Sequence, residues 1–123
     1  MIMATLDAFA SHYGDGATPF LSPRRVAERL GVTMSELAGL VGLARNTLAS
    51  VKGGRKVDAA LSPLVRILAM AAEMTGSDAR AAIWFKHQPI PGWAGKTAYD
   101  LVGEGKGDKV LTYLESVRAG IYA

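Results

Sequence analysis

The chain has 123 residues, half of them hydrophobic, a formal net charge of +3 and no cysteine. This length suits one compact body with a core to bury, and the lack of cysteine excludes disulfides, thiolate chemistry and cysteine-bound zinc while fitting a reducing, cytoplasmic setting. The positive charge is concentrated: between Arg24 and Lys56, seven basic residues stand against Glu28 and Glu36, a distribution that favours nucleic acid as a partner of this part.

Taken in order, Leu6, Phe9, Ala10 and Tyr13 recur at three- and four-residue steps, the spacing of an amphipathic helix that Gly14 and Gly16 stop. His12 within it reads as a surface or packed histidine. The opening MIMATLDAFASHYG has no basic start followed by an apolar run, so no secretion signal is expected. Ser22-Pro23 is a cap followed by a first-turn proline, and Val26, Ala27 and Leu30 mark a short helix closed by Gly31.

The stretch Ser35 to Lys52 has helix-turn-helix spacing. Thr33 caps its first helix, with Glu36 completing a capping box. Ala38 is small where two helices cross, Gly42 permits the corner, and Leu37, Val41, Leu43, Leu48 and Val51 supply a buried face. The second helix is expected from Ala44 to Lys52, stopped by Gly53-Gly54, with Arg45, Asn46, Ala49 and Ser50 facing outward.

Gly53 to Leu61 mixes glycine, charge and alanine and reads as a connector, after which Ser62-Pro63 repeats the cap-plus-proline start. Leu64 to Met74 is apolar on nearly every side and should be a central buried helix. As the most apolar stretch of the chain it is short and carries Arg66 and Glu73, so no membrane span is expected. Gly76 stops it and Ser77 caps a helix over Ala81 to Lys86 that bears Trp84 and Phe85. His87 to Gly95 cannot be helical, with two prolines and two glycines, and burial of Trp84 and Trp93 on either side should pin it. Thr97 then caps a short helix through Leu101 and Val102, with Asp100 in the box. Glycines 103, 105 and 107 interrupt before a last helix with Val110, Leu111, Leu114 and Val117, which Gly120 ends. The result is about eight helices and no strand. The fold class is all-α, with an N-terminal helix-turn-helix bundle over 1–62 and a small C-terminal helical domain over 63–123.

Catalytic chemistry finds no foothold. Gly103 to Gly107 lacks the Walker spacing and a preceding strand, His12 and His87 lie far apart without carboxylates at ligand spacing, and no serine sits in a nucleophile elbow. Neither an enzyme, a metal site nor a cofactor is expected.

Val26 to Lys52 resembles the helix-turn-helix core of Xre-type phage and plasmid repressors, in which the second helix enters the major groove. The resemblance implies Arg45, Asn46 and Ser50 as base readers and Lys52, Arg55 and Lys56 as phosphate contacts; arginine pairs bidentately with guanine and asparagine with adenine. The alternative for these residues is a three-helix packing unit with a solvated polar face. The second half, through Trp84, Pro89, Trp93-Ala94-Gly95-Lys96-Thr97, Leu101-Val102, Gly107, Val110, Leu114 and Gly120-Ile121-Tyr122-Ala123, resembles the toxin-binding domain of Xre/MbcA/ParS-type antitoxins. Two positions depart from that pattern: Ala98, where proline is usual, and Trp93, where leucine is common.

What this second resemblance implies is an antitoxin that neutralises a RES-domain toxin, of a family that consumes NAD, and represses its own operon by binding operator DNA. It would act as a homodimer or a larger hetero-oligomer with toxin. Trp93, Lys96, Gly120, Ile121, Tyr122 and Ala123 would meet the toxin, the last four as a segment that blocks its active site. Two alternatives stand beside this: Tyr122 packs on its own domain or frays, and the chain is a plain dimeric helix-turn-helix repressor without a toxin.

Overall fold

The computed structural model describes residues 21–50 and 54–120. The helix expected from Leu6 to Tyr13 with His12, the residues Val51, Lys52 and Gly53, and the tail Ile121, Tyr122 and Ala123 lie outside the described residues. Among those described, seven helices follow one another: α1 (Pro23–Leu30), α2 (Met34–Val41), α3 (Arg45–Ala49), α4 (Gly54–Thr75), α5 (Asp78–His87), α6 (Ala98–Gly103) and α7 (Gly107–Arg118). The fold is all-α.

Local chemistry sets most helix ends where the sequence places them. The Ser22 hydroxyl accepts from the Arg25 N–H and Pro23 opens α1, while Gly31 closes it at φ 74°. Thr33 and Glu36 form the reciprocal capping box of α2, and Gly42, also at φ 74°, turns the chain towards α3. Thr97 and Asp100 repeat the box at α6, and Ser77 caps α5. At each box two backbone N–H groups that a helix start leaves orphaned are satisfied by side chains.

α4 departs from expectation. The segment Gly53 to Leu61 is not a connector: from Gly54 onward it is helical, and Pro63 lies inside one 22-residue helix instead of opening a new one. The reason is burial. Val57 and Leu61 fall in phase with Leu64, Leu68 and Ala71, and all five are buried on one stripe, a gain that outweighs the proline's missing N–H. Ser62 does not cap a helix start; its hydroxyl donates to the Asp58 carbonyl at 2.8 Å, one turn back. The line between 62 and 63 thus falls within a continuous rod about 33 Å long.

Four helices pack on this rod: α5 and α7 most extensively, α1 and α2 less so, while α3 rests on α2 and α6 closes between α2, α5 and α7. Phe85, Leu30, Leu37, Leu48, Leu61, Leu64, Ile67, Ile90, Leu101 and Leu114 are the largest fully buried side chains and belong to one continuous core. Phe85 meets Tyr99 edge to face at 6.0 Å, joining α5 to α6. Before α1, the Leu21 N–H donates to Asp58 Oδ1 at 2.8 Å and ties the chain to α4.

His87, expected outside a helix, is the last residue of α5, and the loop from Gln88 to Gly95 is ordered by a different residue from those expected. Trp84 and Trp93 are only partly buried, whereas Ile90 is fully buried and anchors the loop. Its N–H donates to the Lys96 carbonyl at 2.8 Å, and Pro89 pairs with Thr97 in an isolated antiparallel bridge. No helix among the described residues is long and apolar enough to cross a membrane.

Two substitutions test this packing. Phe85→Ala should cost about 3–5 kcal/mol of unfolding free energy in urea. Pro63→Ala should raise the melting temperature, because alanine restores a helical N–H within continuous α4; a neutral or lowered value would indicate that a helix starts at Pro63.

Candidate functional site

Two groups of candidate residues stand on this frame. The first surrounds α3. Arg45 and Asn46 occupy the first turn of α3 and are exposed, while Leu48 is buried and holds the helix to the core. α3 is shorter than the sequence suggests. It ends at Ala49, and Ser50 is extended at φ −74°, ψ 132°, so Ser50 follows the helix and does not share its surface. One cause lies in its anchors: Leu48 is the buried residue of α3, and Leu43 before it is only partly buried, so a single apolar contact holds a single helical turn. Of the expected buried face, Leu37 and Leu48 are buried, Val41 and Leu43 are partly so, and Leu40 joins them. Ala38 is buried at the corner.

Arg55 and Lys56 are exposed in the first turn of α4. Arg24 and Arg25 hold the same place in α1. Cations there oppose the helix dipole, and neither first turn carries an acidic residue. Lys52 lies outside the described residues.

α2, which precedes α3, is fixed at its start by the Thr33–Glu36 box. The Glu36 N–H donates to Thr33 Oγ1 at 3.0 Å and the Thr33 N–H to Glu36 Oε1 at 2.9 Å. These bonds from Thr33, aided by the charge of Lys86, hold the Glu36 carboxyl below the usual glutamate range. Tyr99, which packs near α2, is pushed the other way, first by burial and then by the charges of Glu36 and Asp100.

The second group centres on α7. Trp93 and Lys96 belong to the turn after the buried Ile90. The turn is built by bonds from the Trp93 N–H to the Ile90 carbonyl at 3.3 Å and from the Lys96 N–H to the Trp93 carbonyl at 3.0 Å, with Gly92, Ala94 and Gly95 at positive φ. Ala98, where the family pattern has proline, is fully buried at the start of α6.

Two residues that periodicity and motif spacing did not single out join this turn. Glu104 Oε1 accepts from Lys96 Nζ at 2.8 Å and from Lys106 Nζ at 3.4 Å, and Lys106 Nζ lies 5.6 Å from the centre of the Trp93 ring. The hydrogen bond from Lys96 is the largest of the influences that hold the Glu104 carboxyl below its usual range. The signal for them in the sequence was a run of charge among glycines, without a period to decode.

Gly120 is elsewhere. It follows α7 at φ 83°, its N–H donating to the Val117 carbonyl at 3.0 Å, and Arg118 beside it pairs with Glu73 of α4 at 2.6 Å. Lys106 stands at the opposite end of the 12-residue helix. Gly120 and the Lys106 end of the Trp93 cluster thus stand at opposite ends of α7, a helix about 18 Å long. Ile121, Tyr122 and Ala123 lie outside the described residues.

An open groove of about 540 Å³ between the end of α2, the middle of α4 and the α6–α7 link is lined mainly by apolar side chains and glycine, with Asp108 its one ionisable residue. Among the described residues no group of three or more His, Cys, Asp or Glu side chains could hold a metal ion.

Residues 70–120 match the family model of the antitoxin Xre/MbcA/ParS C-terminal toxin-binding domain. No curated protein and no solved structure matches the chain. The matched segment begins within the last two turns of α4 and takes in α5, α6, α7 and both the Trp93 turn and Gly120.

Thr33→Ala should cost about 1 kcal/mol of stability and return the Glu36 carboxyl upward in an NMR titration. Because folding lowers this carboxyl's pKa, its contribution is complete above the usual glutamate range and is lost as pH falls through the lowered value. Thr33→Ala keeps the backbone N–H bond, the larger cause, so only the share of this acid sensitivity owed to the Thr33 hydroxyl should be lost.

Proposed function

We propose that this chain, whose residues 70–120 match the family model of the Xre/MbcA/ParS antitoxin toxin-binding domain, neutralises a RES-type, NAD-consuming toxin and represses its own operon. The observation that carries the antitoxin role is the family match itself; the toxin class and the DNA activity are the finer reading. In it, residues 63–123 serve the toxin and residues 1–62 serve DNA, the two functions meeting within α4. The protein is not a catalyst. It works in the cytoplasm as a homodimer or within a larger assembly with toxin.

The tail is the proposed blocking element. Gly120 turns the chain out of α7 at positive φ, and Ile121, Tyr122 and Ala123 supply a branched apolar group, an aromatic ring and, where the chain ends at Ala123, a carboxylate. Three residues leaving a firm helix carry a small ordering cost, which favours insertion into a cleft. Trp93 and Lys96, whose partner Lys106 stands at the other end of α7, give the toxin a second point of contact, so binding and blocking are divided between two places.

For DNA, the support is the exposed Arg45 and Asn46 on a helix anchored by the buried Leu48, followed by Ser50 and Lys52 and then by Arg55 and Lys56 in the first turn of α4. Arg45 and Asn46 would read bases. Lys52, Arg55 and Lys56 would meet phosphates, and Ser50, in extended backbone after α3, would contribute at the edge of the reading surface. The reading of the chain as a repressor alone shares this surface and lacks only the toxin.

Co-expression with the product of the adjacent reading frame separates the two readings. That product should arrest growth and deplete NAD when made alone, and this chain should restore growth; a harmless neighbour, or arrest that persists beside the folded chain, would remove the antitoxin role. On operator DNA, Arg45→Ala should weaken binding by about 1–3 kcal/mol and relax preference at one base position. An unchanged footprint would take Arg45 out of the reading set.

A further inference from the structure

We infer that Glu104 and Lys106 are positioning residues of the partner-facing turn: the glycine-rich link between α6 and α7 acts as a charged clamp that presets Trp93 and Lys96 for the toxin. This rests on the reading of that turn as toxin-binding. One carboxylate oxygen receives two ammonium groups, from Lys96 at 2.8 Å and from Lys106 at 3.4 Å. Lys106 in turn stands 5.6 Å from the Trp93 ring centre, within the range at which a cation is drawn to an aromatic ring. The clamp closes a loop in space between residues 93–96 and 104–106 that no backbone ladder joins.

The backbone of the link is shaped for this. Gly105 takes φ 81°, and the following Lys106 N–H donates to the Leu101 carbonyl at 2.8 Å. A side chain at Gly105 would meet nothing within 4 Å, so glycine serves the turn's conformation there and not a close approach. The turn aims Lys106 back over Trp93. At the far side of the link, Gly107 lies where a Cβ would touch Val102 and Ile67, which seats it against the core.

Stability is a poor explanation for the cluster. All three charged side chains are 36–44% exposed, and ion pairs open to solvent contribute little to folding. Presetting an interface is a better one. A tryptophan is the residue type most suited to anchor a partner, and ordering it before binding lowers the entropy lost on association. Two lysines against one glutamate also leave the cluster with a surplus positive charge, so the toxin surface that receives Trp93 should offer an apolar socket with an acidic rim.

The test uses the full chain and, as the probe, the RES-domain protein encoded beside it. Glu104→Gln keeps the shape of the side chain and removes its charge. It should weaken toxin binding about 3- to 10-fold by calorimetry while the melting temperature stays within about 2 °C of the parent. In a Trp84→Phe background, where Trp93 is the remaining tryptophan, Glu104→Gln and Lys106→Ala should each make Trp93 more accessible to acrylamide quenching. Parental quenching in both variants overturns the proposal without recourse to any toxin. Parental affinity for Glu104→Gln overturns it too, and Trp93→Ala then tells the two failures apart. If Trp93→Ala weakens binding, the turn meets the toxin without needing the clamp; if it does not, the assignment of the turn to toxin binding falls as well.

Discussion

The buried stripe of α4 is the constraint on which the rest of the molecule depends. Val57, Leu61, Leu64, Val65, Ile67, Leu68 and Ala71 are all buried along one helix, and α1, α2, α5 and α7 each pack against it. A helix of this length has too little intrinsic stability to tolerate an internal proline on propensity alone. Burial of the stripe decides the matter, and the chain becomes one body. Arg55 and Lys56 then mark one end of the rod, and Glu73, bound to Arg118 beside the exit of the tail, marks the other.

Charge is used at the joints between elements. No polar or charged residue is buried among the described residues, and no buried side-chain nitrogen or oxygen among them lacks a partner. The ion pairs lie instead where one element meets another: Arg29 with Asp78 between α1 and α5, Arg118 with Glu73 between α7 and α4, and Lys96 with Glu104 between the Trp93 turn and the α6–α7 link. With side chains as exposed as 56% and 54%, the Arg118–Glu73 pair adds little to stability. What such pairs supply is geometry, and the Lys96–Glu104 and Arg118–Glu73 pairs supply it close in sequence to residues proposed to meet a partner.

Much of this was legible in the sequence because it is local. A capping box needs only Thr33 and Glu36, or Thr97 and Asp100, three residues apart, and a glycine at positive φ ends a helix wherever it stands. The first half of α4 was not legible, since Gly53-Gly54, the charges after it and Ser62-Pro63 all punctuate locally. Only the phase of Val57 and Leu61 with Leu64 and Leu68 argues otherwise, and that phase gains its value from partners distant in sequence. Ile90 was hidden by the tryptophans on either side of its loop. Glu104 and Lys106 carry no period and pair across a fold, so the candidate site emerged with its anchors named and its support missing. The short α3 had the opposite fault: a pattern of apolar residues extended the helix beyond the one buried contact, Leu48, that holds it.

Binding and blocking are proposed to be divided, with the Trp93 turn holding the toxin and the residues after Gly120 obstructing it. Removing Ile121 to Ala123 and measuring both toxin affinity and residual NAD consumption by the complex tests that division most directly. The account predicts a complex that still forms, with affinity reduced by no more than about 10-fold, or about 1.4 kcal/mol, while NAD consumption returns. A truncated chain that silences the toxin as fully as the intact one would contradict it.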